Sequence, residues 1–238
     1  INRLRISSDL SIAFKGTFGK NLEDFSEEWI REMKKKYLPD LDKFQGLDEF
    51  AKRITNHEKD HSFYNSSPAI SPDGDQLAFI SNRDDFFGVF LMDLNSPTKE
   101  TIELISSGRS IDFEELNILT PGISWSPDGK KLVVSAKSAG EDALYIVDVK
   151  TGDYQKKLFG IRSLSSALWS PDGSTIAFVA SVGEQPDLWL YDVKTGEIIR
   201  ATDDIFTDMF PAWSPDSKTL YFISDRADNT NGDFKAID

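Results

Sequence analysis

The stretch WSPDGSTIAFVA, residues 169–180, decides the fold because the chain repeats it. Ser170-Pro171-Asp172-Gly173 has counterparts in Ser71-Pro72-Asp73-Gly74, Ser126-Pro127-Asp128-Gly129 and Ser214-Pro215-Asp216-Ser217, with first residues spaced by 55, 44 and 44 positions. Ile70, Trp125, Trp169 and Trp213 precede the four serines. Each turn leads into a β-branched or aromatic run (LAFIS from Leu77, LVVSA from Leu132, IAFVA from Ile176, LYFIS from Leu220), the composition of a mostly buried strand. A second run follows in VFLMDL from Val89, LYIVDV from Leu144 and LWLYDV from Leu188. Its Asp (Asp93, Asp148, Asp192) lies 22 residues after the Ser in all three complete repeats. An internal offset kept three times marks a structural unit.

Turn chemistry explains the letters. Pro presets φ at the first turn position, the Ser and Asp oxygens accept from local backbone N–H groups, and Gly takes the left-handed conformation that closes a hairpin. Thr151-Gly152 and Thr195-Gly196 supply a further hairpin after the second run. Each unit is then about four antiparallel strands, and a period near 44 is that of a propeller blade. Trp125, Trp169 and Trp213 are expected to pack between neighbouring blades.

The pattern W-S-P-D-G-x-x-[LI]-x-F-x-[SA], followed by [LI]-[YW]-x-x-D-V-x-T-G, resembles the repeats of TolB-type (WD40-like) β-propellers, which also accompany prolyl oligopeptidase-family hydrolases. The resemblance covers about residues 66 to 238. It implies an all-β chain, a partial propeller of four-stranded antiparallel blades with about three and a half to four blades present. It leaves function open, since such propellers serve unrelated purposes.

Two departures stand out. The first interval exceeds the others by 11 residues, within SSGRSIDFEELNILTPG, residues 106–122. Such a connection either shapes a binding face or is a tolerated surface insertion. The fourth unit ends at Asp238 without its outer strands, which would leave an open sheet edge. The parent protein is therefore expected to continue, closing at six or so blades if the TolB resemblance holds.

Residues 1–62 follow a different grammar and are read as a helical segment ahead of a propeller spanning 63–238. Leu22, Phe25, Trp29, Met33 and Tyr37 form one helical stripe, with Asn21 as N-cap, Glu23 and Asp24 in the first turn, and Pro39 ending the run. A shorter helix includes Leu10, Ala13 and Phe14, and another runs from about Leu47 through Phe50, Ala51 and Ile54. AFKGTFGKNLEDFSEEW, residues 13–29, resembles the closing helices of the gluzincin-like peptidase MA domain that precedes TolB-type propellers in some bacterial proteins. It carries none of that family's zinc ligands, so the resemblance places any metal-binding helix upstream of Ile1.

His57, Glu58 and His61 spell H-E-x-x-H, which on a helix sets two imidazoles on one face to hold zinc around a catalytic glutamate. The apolar phase of Phe50 and Ile54 continues onto both histidines. Against this, Lys59 and Asp60 put charges between them, the chain has no third His, and SFYNSSPAISPDG leads directly into strands. Context favours a solvated, hydrogen-bonded helix end, and the expectation is no metal and no cofactor. No Ser sits in G-x-S-x-G, and Asp225 to Asp233 misses the Ca²⁺-loop spacing.

Composition narrows the partners. The 238 residues are 39% hydrophobic, enough for a sizeable core, and no run nears the roughly 18 apolar residues of a membrane span. The first residues lack an initiating Met and a secretory hydrophobic region, so the numbering is expected to start inside a longer or processed protein. With 40 acidic against 27 basic side chains, the net charge of -13 disfavours nucleic acid and anionic lipid. The absence of Cys excludes thiolate chemistry and disulfides.

The loops joining second and third strands emerge with the connections between blades. They contain Asp84, Asp85, Glu141, Asp142, Glu184, Asp187, Asp225, Asp228 and Asp233 against Arg83, Lys137 and Arg226, nine acidic to three basic. With Phe86 and Phe87, this face is the candidate dock for a protein or peptide partner, basic in character. The sequence thus reads as a non-catalytic interaction or scaffold module, periplasmic or exported by resemblance. The alternatives are a zinc metallopeptidase, at residues 57–61 or upstream, and a propeller gating a fused prolyl oligopeptidase-like hydrolase.

Overall fold

A computed structural model describes residues 10–41, 50–83, 86–108, 111–118, 120, 122–161, 163–183 and 185–226. The chain divides into two compact units, Ile1–Ile54 and Thr55–Asp238. Residues 55–62, assigned from sequence to the helical segment, therefore keep with the blades.

In the first unit α1 (Leu10–Phe18) and α2 (Leu22–Leu41) form a helical hairpin. Gly19, at φ 75°, ends α1 by donating its N–H to the Lys15 carbonyl, and Asn21 caps α2 by accepting the Asp24 N–H at 2.8 Å. Phe14, Phe18 and Phe25 close the hairpin with ring centroids 4.5–5.3 Å apart. Pro39 does not end α2, which runs on to Leu41. In the last turn a missing proline N–H forfeits a single intrahelical bond, so the penalty is small. Of the third helix expected from about Leu47 to Ile54, Phe50 is helical, residues 51–54 carry no helix, and the positions before Phe50 lie outside the described residues.

In the second unit a single turn, α3 (His57–Asp60), precedes the blades. Blade 1 is β1 (Asn65–Ile70), β2 (Gln76–Ser81), β3 (Gly88–Asp93) and β4 (Thr101–Ser106), paired in that order. Blade 2 has a split innermost strand, β5 (Glu115–Leu116) and β6 (Ile123–Trp125), followed by β7 (Lys131–Ser138), β8 (Glu141–Asp148) and β9 (Tyr154–Leu158). Blade 3 is β10 (Ser163–Trp169), β11 (Thr175–Ser181), β12 (Pro186–Asp192) and β13 (Ile198–Arg200). A fourth sheet begins with β14 (Asp208–Trp213) and β15 (Leu220–Ser224). All pairings are antiparallel, as an all-β propeller requires.

The middle strands of blades 2 and 3 are largely buried because each of these sheets lies between two others, and in blade 1 the face turned away from blade 2 buries its own cluster of Leu77, Phe79, Phe90 and Met92. One core joins blades 1 and 2 through Ala78, Ile80, Val89, Leu132, Val134 and Tyr145; another joins blades 2 and 3 through Val133, Leu144, Leu164, Ile176 and Phe178. Each such large side chain contributes about 1.5–3 kcal/mol. Trp125 and Trp169 are buried within these cores. The Trp125 indole donates to the Ala69 carbonyl of blade 1 at 2.9 Å, and Trp213 reaches the Leu168 carbonyl of blade 3 at 3.4 Å. Trp125 and Trp213 thus tie their blades to the preceding one through the indole, whereas Trp169 joins blade 2 by packing against Val133 and Leu144 and by its backbone N–H, which donates to the Ser124 hydroxyl at 3.1 Å.

The four S-P-D turns share one hydrogen-bond set. Each Ser hydroxyl donates to its Asp at 2.5–2.6 Å and accepts the backbone N–H five residues on at 2.9–3.0 Å. Ser217, standing where the other turns have Gly, takes the same left-handed backbone (φ 60°), and its hydroxyl accepts the Asp172 N–H at 3.0 Å.

Part of the extra length of the first interval forms a connection clamped onto blade 2. The Asp112 carboxylate accepts from the Tyr154 hydroxyl at 2.8 Å and from the Lys156 ammonium, while Phe113 lies 4.2 Å from the Tyr145 ring. The innermost strand is then interrupted between the end of β5 at Leu116 and the start of β6 at Ile123.

Candidate functional site

The connections between blades and the loops after each second strand share one face of the molecule. Ser107 donates its N–H to the Phe87 carbonyl at 2.8 Å, the Asp142 carboxylate accepts the Leu164 N–H at 2.9 Å, and the Thr207 hydroxyl donates to the Gln185 side chain at 2.9 Å. This matches the layout expected from the strand order.

The charges on this face are largely committed internally. In Ser224-Asp225-Arg226, the Arg226 guanidinium donates to both Asp208 carboxylate oxygens at 2.8 and 2.7 Å, pairs with Asp204 at 3.0 Å, and lies over the Phe206 and Phe222 rings. Asp208 is fully buried. Asp225 caps the incoming strand by accepting the Thr207 N–H at 2.9 Å. Ser81-Asn82-Arg83 does the same in blade 1: Asn82 accepts the N–H groups of Phe63 and Tyr64 at 2.9 and 2.8 Å. Arg83 covers the Phe79 and Phe90 rings at 5.1 and 4.9 Å and approaches Asp60 at 3.6 Å. Asp187 is fully buried against Arg200, whose Nε donates to it at 3.1 Å.

Arg83, Asp142, Asp187 and Arg226 are therefore held in structural contacts, while Glu141 and Asp225 are the exposed carboxylates of the described loops, Asp225 with one oxygen on the Thr207 N–H. Asp84, Asp85, Glu184, Asp228 and Asp233 lie outside the described residues. Phe87 is half-buried, packed edge-on to Tyr64 at 6.0 Å, whereas Phe86 is 45% exposed beside Gly108. Phe63, which the sequence reading did not single out, is 87% exposed at the same end of blade 1. Its only sequence signal is its place in SFYN, between a helix end and the first strand. Ile111 and Val182 add exposed apolar surface on the connection and on the blade 3 loop.

The H-E-x-x-H letters do not form a helical face. His57 opens the single turn α3, and His61 has left the helix at φ 55°. His57 Nδ1 sits 2.6 Å from the Ser62 carbonyl oxygen. Asp60 accepts from the Ser62 N–H at 2.9 Å, the Ser62 hydroxyl at 2.6 Å and the Asn56 N–H at 3.2 Å. Burial pushes the Asp60 carboxyl up, but these bonds outweigh it and hold the carboxyl below its usual range. The Glu58 side chain lies outside the described residues. Among the described residues, no three His, Asp or Glu side chains converge as a metal site.

The opposite face carries the S-P-D turns. There the splay between blades 1 and 2 leaves an open groove of about 950 Å³ floored by Leu91, Leu104 and Val149.

The fold and these sites define an antiparallel β-propeller with tryptophan-stitched blades. Residues 117–231 match the family model of the TolB β-propeller domain, and the blades within that stretch are of TolB type. Among solved structures, TolB from Acinetobacter baumannii is similar at 26% identity with a TM-score of 0.56, over 67% of this chain and 37% of that one. The putative TolB from Agrobacterium tumefaciens shares the fold at 24% identity and a TM-score of 0.55, over 69% of this chain and 56% of that one. A curated relative, dipeptidyl-peptidase 5 from Aspergillus fumigatus, is 31% identical over 102 residues, 40% of this chain and 13% of that protein. The chain thus spans a small part of its curated relative. No helix among the described residues is long and apolar enough to cross a membrane.

Proposed function

We propose that the propeller is a non-catalytic interaction module that presents its loop face to a protein or peptide partner. The observation that carries this reading is the exposure of Phe63 and Phe86 at one end of blade 1, over a scaffold whose neighbouring charges are tied internally. Aromatic anchors on a rigid base are the arrangement that binding hot spots use. Anchoring then rests on aromatics more than on the acidic steering expected from the loop sequences. An exported location accompanies this reading by similarity to TolB. The test is the partner affinity of the full-length protein carrying Phe63→Ala and Phe86→Ala together. A loss of about tenfold or more with an unchanged melting temperature is expected; unchanged affinity would remove the loop face from consideration.

The similarity to dipeptidyl-peptidase 5 favours a second reading, in which the propeller accompanies a serine hydrolase in the parent protein. Labelling of the full-length protein by a fluorophosphonate probe would support it, and a lack of labelling would leave the interaction reading in place.

A further inference from the structure

α2 carries an apolar stripe that its own unit leaves uncovered. Leu22, Trp29, Met33 and Tyr37, spaced seven, four and four apart, fall on one side of the helix, with Ile30 beside them. Phe25, at the edge of the stripe, is taken up by Phe14 and Phe18, whereas Leu22, Trp29, Ile30 and Tyr37 stay 44–56% exposed.

Charge along the same helix changes sign at its middle. Glu23, Asp24, Glu27 and Glu28 occupy the first half; Arg31, Lys34, Lys35 and Lys36 follow, with Glu32 among them. The helix macrodipole does not account for this pattern. Its pull is confined to the first and last turns, Glu27 and Arg31 lie beyond the first, and the last turn holds no basic residue. Within the unit Glu28 pairs with Lys20, and Glu32 with Lys35 at 2.7 Å. Glu23, Glu27, Arg31 and Lys34 are exposed and run down one flank of the stripe at four- and three-residue spacing.

We propose that this surface binds a second copy of α2 in antiparallel orientation, making the protein a symmetric dimer through its helical unit. A two-fold axis crossing the middle of the helix lays stripe on stripe, with Trp29 and Ile30 near the axis. Such an axis keeps each flank on its own side, so Glu23 and Glu27 of each copy meet Lys34 and Arg31 of the other. Parallel pairing would set like charge against like and is disfavoured. The patch is therefore complementary to itself, the condition for a closed two-fold interface.

Sedimentation equilibrium of the full-length protein tests this by charge reversal. Wild type should be dimeric. Glu23→Lys with Glu27→Lys makes the whole flank basic, Arg31→Glu with Lys34→Glu makes it acidic, and each pair of changes should weaken self-association about tenfold or more. An equimolar mixture of the two variants should recover the dimer, because an all-basic flank then faces an all-acidic one; a dimer formed elsewhere on the chain would show no such recovery. Trp29→Ser, which removes the largest side chain of the stripe, should give a similar loss without touching charge. A monomeric wild type means that the stripe has another occupant and overturns the proposal. So does self-association that either pair of reversals or Trp29→Ser leaves unchanged, and so does failure of the mixture to recover the dimer.

Discussion

The serine of each S-P-D turn does two jobs with one hydroxyl, and both can be tested at Ser170. It is buried, donates to Asp172 at 2.6 Å and accepts the Thr175 N–H at 3.0 Å. Ser170→Ala leaves that N–H without its acceptor and is expected to cost about 1–3 kcal/mol, read as a lower midpoint in urea unfolding with an unchanged slope. The aspartates give a pH signature. Hydrogen bonds from Ser71, Ser126, Ser170 and Ser214 hold the carboxyls of Asp73, Asp128, Asp172 and Asp216 below their usual range. A carboxyl whose pKa falls on folding stabilises the protein above its unfolded value, about 3.9, and loses that contribution as the pH drops through the folded value. Unfolding free energy should therefore be flat from about pH 7 to 5 and fall below about pH 4; a decline that is complete above pH 5 would contradict this origin. At this scale the turns were legible from their letters, because Ser, Pro, Asp and Gly act on backbone within five residues. The H-E-x-x-H spelling, by contrast, has its chemical meaning only on a helix, and His61 at φ 55° ends that helix.

Among the elements, the arginines after the second strands hold the blades' loop ends together. Arg226 neutralises Asp208, whose side chain is fully buried, so Arg226→Ala strands a carboxylate and is expected to cost about 3–5 kcal/mol. Asp204→Ala, which removes the partly exposed partner, should cost less than about 1 kcal/mol. Thermal unfolding of the two variants side by side checks this order, and equal losses would contradict it. Blade 1 has Asn65 at the position that Asp208 holds in blade 4, and there Arg83 turns to Asp60. Strand number, order and hairpin positions followed from the repeats. The fate of Arg83, Asp187 and Arg226 did not, because a charge on a loop reads as exposed until the partner that buries it is placed in space. Likewise the position of the extra residues was visible, but their clamp through Asp112 and Phe113 depends on Tyr145, Tyr154 and Lys156, which lie 32 to 44 positions further on.

For the whole molecule, the three described blades and the start of a fourth form a rigid support with apolar groups at one loop end. The β15 face carries Tyr221 and Ile223 at 62% and 65% exposure, the positions that in blade 3 are filled by buried Ala177 and Val179. Polar substitution there, Ile223→Thr, should leave melting of residues 1–238 within about 0.5 kcal/mol of wild type, as at other exposed sites. The most direct test of an interaction role is a photo-crosslinking scan of the full-length protein, with the probe placed in turn at Phe63, Phe86, Lys130 and Lys150. A loop-face module predicts crosslinks to one common partner from Phe63 and Phe86 and none from the two lysines beside the opposite groove. Crosslinks confined to Lys130 and Lys150 would contradict it.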